Sequence, residues 1–307
     1  MREEERFRRI FRDAHADHRG CADDEWLSEP CRAAPARPAA RPLVWSRRNG
    51  AWRRVSVLWV GAAPGNAGGL GTGTLGAHAT RIPFGGDIAG GNLDVLLSTI
   101  GLSRNDTFII AALNQLPARG GGEPAVAEIA APVGRYPDSI ALLRDTVVAA
   151  GPALVVALGN VALRTLAAAL TRAGGAVRLP GQGRLSEAGL ARDTPTRWPL
   201  AALPMAMDVR DAWADAWGDE PDFHVLPLLH PSAQNMSPFA GVHTAFHERM
   251  LRTRDALAAA VRSVLDWELP RRRPDPPRVG VYDLPEWRER IAPAHARYDA
   301  LWRRHGV

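Results

Sequence analysis

Lysine is missing from this chain: every basic residue in it is an arginine. Without lysine there is no phosphate-binding loop of the G-x-x-x-x-G-K-[ST] kind, and no side-chain amine to form a Schiff base with a substrate carbonyl. Cysteine is scarce, with only Cys21 and Cys31 present. That is too few for a disulfide framework or a four-thiolate metal site, and it fits a reducing compartment. Long apolar runs are also lacking, since nothing approaches the ~18 consecutive apolar residues of a membrane span. The opening stretch from Met1 to Arg12 mixes Arg and Glu with no apolar segment behind it. The expectation is a cytoplasmic protein, neither secreted nor membrane-spanning.

What is present is ordinary for a globular protein: 307 residues, 46% hydrophobic and 23% charged, enough for one large domain with extensions. The formal net charge of +5 points to an anionic partner, nucleic acid first among the candidates. For a DNA-binding protein that places it at the nucleoid.

Residues 1–42 read as a basic extension and linker: a short charged helix with Phe7, Ile10 and Phe11 on one face, then an Ala/Pro/Arg stretch. From Leu43 onward, short apolar runs alternate with helical patterns. The runs are Val55 to Gly61, Thr107 to Leu113, Ala153 to Leu158 and Phe223 to Leu229; the helices cover about 89–100, 138–149, 161–172 and 242–265. Strands that are almost wholly apolar and separated by helices are what a parallel sheet covered on both faces requires. The predicted fold is therefore a three-layer α/β/α domain over 43–267. Residues 173–221 show no clear period and read as an irregular excursion. Residues 268–307 read as a Pro/Arg-rich linker, with the run Arg271 to Arg273, followed by a last helix near 284–304. Trp213, Trp217, Trp267 and Trp287 read as packing residues.

In open α/β sheets ligands bind beyond the carboxyl ends of the strands, so the residues just after each apolar run carry the information. After the first run comes Gly61-Ala62-Ala63-Pro64-Gly65, and then, past a glycine-rich loop, Pro83-Phe84-Gly85-Gly86-Asp87. The second run ends in Asn114, and the last in His230-Pro231-Ser232-Ala233-Gln234-Asn235-Met236.

In that order, these motifs resemble the uracil-DNA glycosylase superfamily over roughly 55–265, nearest to its family five branch and, beside it, family four. The resemblance implies a four-stranded, mostly parallel sheet and a monofunctional enzyme of base-excision repair that flips uracil, or another deaminated base, from DNA and hydrolyses its glycosidic bond. It assigns Gly61, Ala62, Ala63, Pro64 and Gly65 to the base pocket, Phe84 to stacking, and Asn114 to reading the base edge with its paired donor and acceptor. His230 would donate to the carbonyl oxygen that gains charge, and Asp87 would activate water or stabilise the cationic sugar. Ser232, Gln234, Asn235 and Ser237 would contact DNA, with Met236 as an apolar wedge and Pro238 and Phe239 behind it. The absence of lysine agrees with a monofunctional reaction that leaves an abasic site.

Related branches carry an iron-sulfur cluster on four cysteines. With Cys21 and Cys31 alone no such cluster is expected, and Tyr136 is the residue placed to fill the gap. Blander readings stand beside these. Asp87 could simply cap the following helix, and His230 could be a turn residue. His243 and His247, four apart on the last long helix, read as a solvated or DNA-facing pair without a third metal ligand. Gly71 to Gly76 matches the dinucleotide fingerprint G-x-G-x-x-G, the basis of an oxidoreductase alternative, although it does not open a helix. A DNA-binding or damage-sensing protein without chemistry, and an enzyme for deaminated purines, are the remaining alternatives.

Overall fold

The computed structural model describes residues 3–14, 47–48, 51–52, 55–63, 82–113, 124–172, 177–179, 183–185, 207–208, 224–275, 278, 280–285 and 287–307. Four strands form its centre: β1 (Val57–Gly61), β2 (Phe108–Ala111), β3 (Leu154–Leu158) and β4 (His224–Leu228). They lie in the order β2-β1-β3-β4, all parallel, and the two residues Met207–Asp208 add a short antiparallel edge beside β4. This edge falls inside the stretch read as irregular, as does a small hairpin pairing Val177–Leu179 with Gly183–Leu185.

Every strand residue described for burial is enclosed, and successive side chains enter opposite layers because a strand has a period of two. Leu58, Val60, Phe108, Ile110, Val155, Ala157 and Val225 point into one core. That layer is covered by α1 (Glu3–Ala14), α3 (Ser139–Ala150) and α4 (Asn160–Arg172). Val57, Trp59, Ile109, Leu154, Val156, Leu158, Leu226 and Leu228 point into the other. Here the cover is α2 (Ile88–Thr99), α5 (Ala245–Leu265) and α6 (Ala292–Arg304). The expected three-layer α/β/α architecture is present. None of the described helices is long and apolar enough to cross a membrane.

Both segments set apart in the sequence as extensions contribute to this core. Ile10 and Ala14 of α1 are buried beside α3, and the Arg135 amide donates to the Asp13 carbonyl at 2.7 Å. At the other end, Trp302 of α6 is fully buried in the second core. Arg273, read as part of a solvated linker, is instead largely enclosed and paired with Asp299 at 2.6 Å. Trp287 is buried and Trp267 packs against the second core, as packing residues should; Trp213 and Trp217 lie outside the described residues.

Helix α2 follows β1 in the chain and is unusual in composition. Its segment Gly90-Gly91-Asn92-Leu93-Asp94 holds four residues that are poor in helix interiors. The structure explains each of them. A Cβ on Gly90 would lie 1.8 Å from the Phe84 carbonyl oxygen, and one on Gly91 would lie 2.5 Å from the Tyr298 ring. Asn92 makes buried tertiary hydrogen bonds and Asp94 partly buried ones.

Candidate active site

The chain order places β1 and β2 on one side of the sheet and β3 and β4 on the other, so the strand order reverses between β1 and β3. In open α/β sheets such a reversal, at the carboxyl ends of the strands, is where ligands bind. Gly61, at the end of β1, is where the backbone must lack a side chain: a Cβ would sit 2.8 Å from the tip of the Phe84 ring. Gly159, one residue past β3, adopts φ +88° and packs against His230, whose Cβ would be 3.2 Å from an added Cβ. These close approaches bring the separate motifs to one place. The Phe84 and His230 rings lie 5.7 Å apart between centroids, tilted by 37°. Ala62 and Ala63, which follow Gly61, are half-buried.

Asp87 is the N-cap of α2, accepting from the Gly90 amide at 2.7 Å through Oδ1. The capping reading is therefore correct for one oxygen. Among the described residues Oδ2 has no hydrogen-bond partner, so the second oxygen is free to act on a substrate. The same carboxylate acts on two neighbours. Burial, and after it the Asp87 charge, pushes the Tyr298 hydroxyl above the usual tyrosine range. Burial holds the His230 imidazole below the ordinary histidine value of 6.5, with Asp87 partly opposing that shift. His230 is thus neutral at pH 7, a donor without a charge of its own.

The loop after His230 is tied down from three sides. Its own Asn235 donates through Nδ2 to the His230 carbonyl at 2.9 Å, and the Met236 amide donates to Ser232 at 2.9 Å. Asn92, fully buried in α2, donates through Nδ2 to the carbonyls of Pro231 at 2.8 Å and Met236 at 2.7 Å. The Asn92 Oδ1 accepts from the Trp302 indole at 2.6 Å. Every polar atom of that amide is directed, so its two ends cannot be exchanged without loss.

Some expectations for this loop are corrected. Met236 is 0% exposed and sits in the second core, so it is not a wedge. Phe239 is 50% exposed and, with Val242 at 47%, is a large apolar side chain the loop presents; Arg297 lies 5.2 Å over the Phe239 ring and Tyr298 meets its edge at 5.9 Å. The Asn235 Nδ2 holds the loop. Gln234 is exposed, and Ser232 and Ser237 are half-exposed, which leaves these three available to a ligand. His243 has φ +60° and precedes the Thr244 cap, so it does not share a helix face with His247. The His247 Nε2 instead lies 2.9 Å from the His305 carbonyl. No cluster of three metal-ligating side chains occurs among the described residues.

The difference between Met236 and Phe239 has a measurable consequence. Met236→Ala should lower stability by about 2–4 kcal/mol, the usual result of truncating a buried side chain. Phe239→Ala should leave the melting temperature close to wild type while weakening binding to duplex DNA. Thermal unfolding and a DNA titration of both variants check this; a large stability loss on truncating Phe239 would contradict the assignment.

Asn114, Pro64, Gly65, the Gly71 to Gly76 motif, Cys21 and Cys31 lie outside the described residues. The sequence holds two cysteines, half of the thiolates that a four-cysteine iron-sulfur cluster needs. Tyr136 packs against the first core, its amide and carbonyl paired with Val133. Sequence reasoning assigned no residue to the end of β3. There Asn160 is half-buried, and its Oδ1 is enclosed without a hydrogen-bond partner among the described residues.

The sequence profile of the Uracil DNA glycosylase superfamily matches residues 50–261. The chain belongs to the uracil DNA glycosylase superfamily. No curated protein matches it closely enough to name a relative. The match spans the whole parallel sheet and the loops that carry Gly61, Phe84, Asp87 and His230. It ends within α5, short of Tyr282, Trp287, His295 and Trp302, all of which are buried against the same domain.

Proposed function

We propose that this superfamily member is a monofunctional glycosylase that hydrolyses the bond between deoxyribose and uracil, or another deaminated base, in DNA. The observation that carries the reading is the meeting of Phe84, Asp87 and a neutral His230 at the switch point of the sheet. An extruded base would stack on Phe84, whose ring rests against Gly61, with Asn114 reading its edge. As the C1′–N bond breaks, its electron pair goes to the base, and charge gathers on a ring carbonyl oxygen facing the His230 N–H. The deoxyribose becomes cationic at C1′, where the free oxygen of Asp87 stabilises it and receives the proton of the attacking water. The base anion then takes up a proton, Asp87 gives up the one it received, and the products are the free base and an abasic site.

Gln234, Ser232 and Ser237 are the polar groups on the DNA side of the His230 loop, and Phe239 is its wedge. The alanines at 62 and 63 favour the family five branch within the superfamily. Lacking lysine, the chain has no side-chain amine for the strand-cleaving Schiff-base route, and it works without an iron-sulfur cluster.

The test is release of base from oligonucleotides carrying uracil, hypoxanthine or xanthine in one duplex context. Purified protein should release uracil and leave a strand that breaks only after alkali. Release of a purine in preference would move the substrate class to deaminated purines. DNA binding without release of any base would identify a binding protein on a glycosylase fold.

A further inference from the structure

The loop that would hold the base is strained, and part of what holds it in place lies outside the part of the chain shared with the superfamily. Phe84 has φ +54°, a left-handed conformation that costs a non-glycine residue on the order of 1–3 kcal/mol and persists only where its surroundings fix it. Two side chains do so. Arg104, 0% exposed, donates to the Pro83 carbonyl, to the Phe84 carbonyl at 2.9 Å and to the Gly90 carbonyl at 3.4 Å. His295 of α6 accepts through Nε2 from the Gly86 amide at 3.0 Å, across 209 residues of sequence. Since Nε2 accepts, the imidazole proton is on Nδ1, which faces Asp94 at 2.6 Å. Asp94 also pairs with Arg104 at 2.5 Å, so one carboxylate orients both clamps. Burial opposes the charge of Asp94, but Arg104 and His295 overcome it and hold the carboxyl below its usual value.

The C-terminal segment encloses this network. Trp287 lies 5.2 Å from the Arg104 guanidinium and meets the His295 ring edge-on at 5.4 Å. The Tyr282 hydroxyl accepts from the Arg104 amide at 2.9 Å. Ile82, at the start of the strained loop, is buried among Val281, Tyr282, Trp287 and Ile291.

We infer that the C-terminal segment is a clamp that sets the conformation of the loop from Phe84 to Asp87, and that His295 is its positioning residue. It touches neither base nor sugar; it fixes the Gly86 amide, and through it the ring and carboxylate on either side. The inference uses the proposed reaction only for the consequence of losing that position.

The experiment compares His295→Ala, His295→Asn and His295→Gln with wild type in three readouts: hydrogen exchange at the Gly86 amide, the split between kcat and KM for base release, and thermal unfolding. Gln places an acceptor near the position of Nε2, whereas Asn reaches only as far as Nδ1, so the variants separate the Gly86 contact from the Asp94 contact. Gly86 exchange should quicken in Ala and Asn and return to the wild-type rate in Gln. In the same two variants kcat should fall by about tenfold to a hundredfold, the cost of slightly misplaced groups, with KM little changed and with recovery in Gln. Unchanged Gly86 exchange in the Ala variant, or Gln behaving like Ala, would overturn the clamp, as would faster exchange with unaltered kcat. Should wild type release no base, the proposed activity falls, and Gly86 exchange alone decides whether His295 holds the loop.

Discussion

Replacing Asp87 by asparagine should abolish most base release while leaving the fold as stable as before. Asparagine is as good an N-cap as aspartate, and its side-chain oxygen can accept from the Gly90 amide as Asp87 does at 2.7 Å. What it removes is the charge and the free carboxylate oxygen. The expected loss is a hundredfold or more, about 3 kcal/mol of transition-state stabilisation. Asp87→Ala should lose the same activity and, in addition, about 1 kcal/mol of stability from the missing cap. Single-turnover release with a thermal melt on each variant separates the two roles. If the asparagine variant keeps wild-type release, Asp87 is a cap and nothing more.

The second large effect concerns His230. His230→Ala should reduce kcat by a factor of about 100 to 1000, the range for losing one donor aimed at developing negative charge. KM should change little, because the hydrogen bond strengthens as the base departs. Its buried, neutral state adds a signature in stability. The folded-state pKa lies below 6.5, so on acidification the unfolded chain takes up the proton first. The stability associated with this group is complete above pH 6.5 and declines as the pH falls below that value. His230→Gln should remove this part of the acid-side slope. Chemical denaturation across that range, in wild type and variant, provides the measurement; equal slopes would show that His230 titrates alike in the folded and unfolded chain.

These two residues illustrate how functional and structural roles overlap at one site. Asp87 gives one oxygen to a helix and keeps the other, and the Asn235 side chain uses its Nδ2 to hold the loop it belongs to. Neither division of labour is visible in residue identity. A carboxylate before a helix satisfies the requirements of a cap and of a catalytic group alike.

The layered sheet was legible in the sequence because its cause is local. Continuous apolar runs such as Val57 to Val60 and Leu154 to Leu158 have one stable placement, a parallel strand covered on both faces. With the strands placed, the carboxyl-end rule pointed to Gly61 and His230, and the resemblance to uracil-DNA glycosylases added Phe84. The pair Gly90-Gly91 and the polar Asn92 and Asp94 within an apolar helix were a signal of close packing and buried bonding, since each is costly in a helix without a tertiary use.

Other features were decided by tertiary structure alone. Met236 and Phe239 are both apolar loop residues, and only the second core, with Asn92 fixing the Met236 carbonyl, determines which is buried. The bond from Gly86 to His295 joins positions 209 residues apart, and no periodicity or spacing encodes such a contact. Local sequence determined the sheet, its covering helices and the strand ends where chemistry belongs, because backbone hydrogen bonding and apolar burial act residue by residue. The strain at Phe84, and the Arg104 and His295 contacts that hold it, arose only when distant segments packed, because a buried polar network depends on every partner being in place at once.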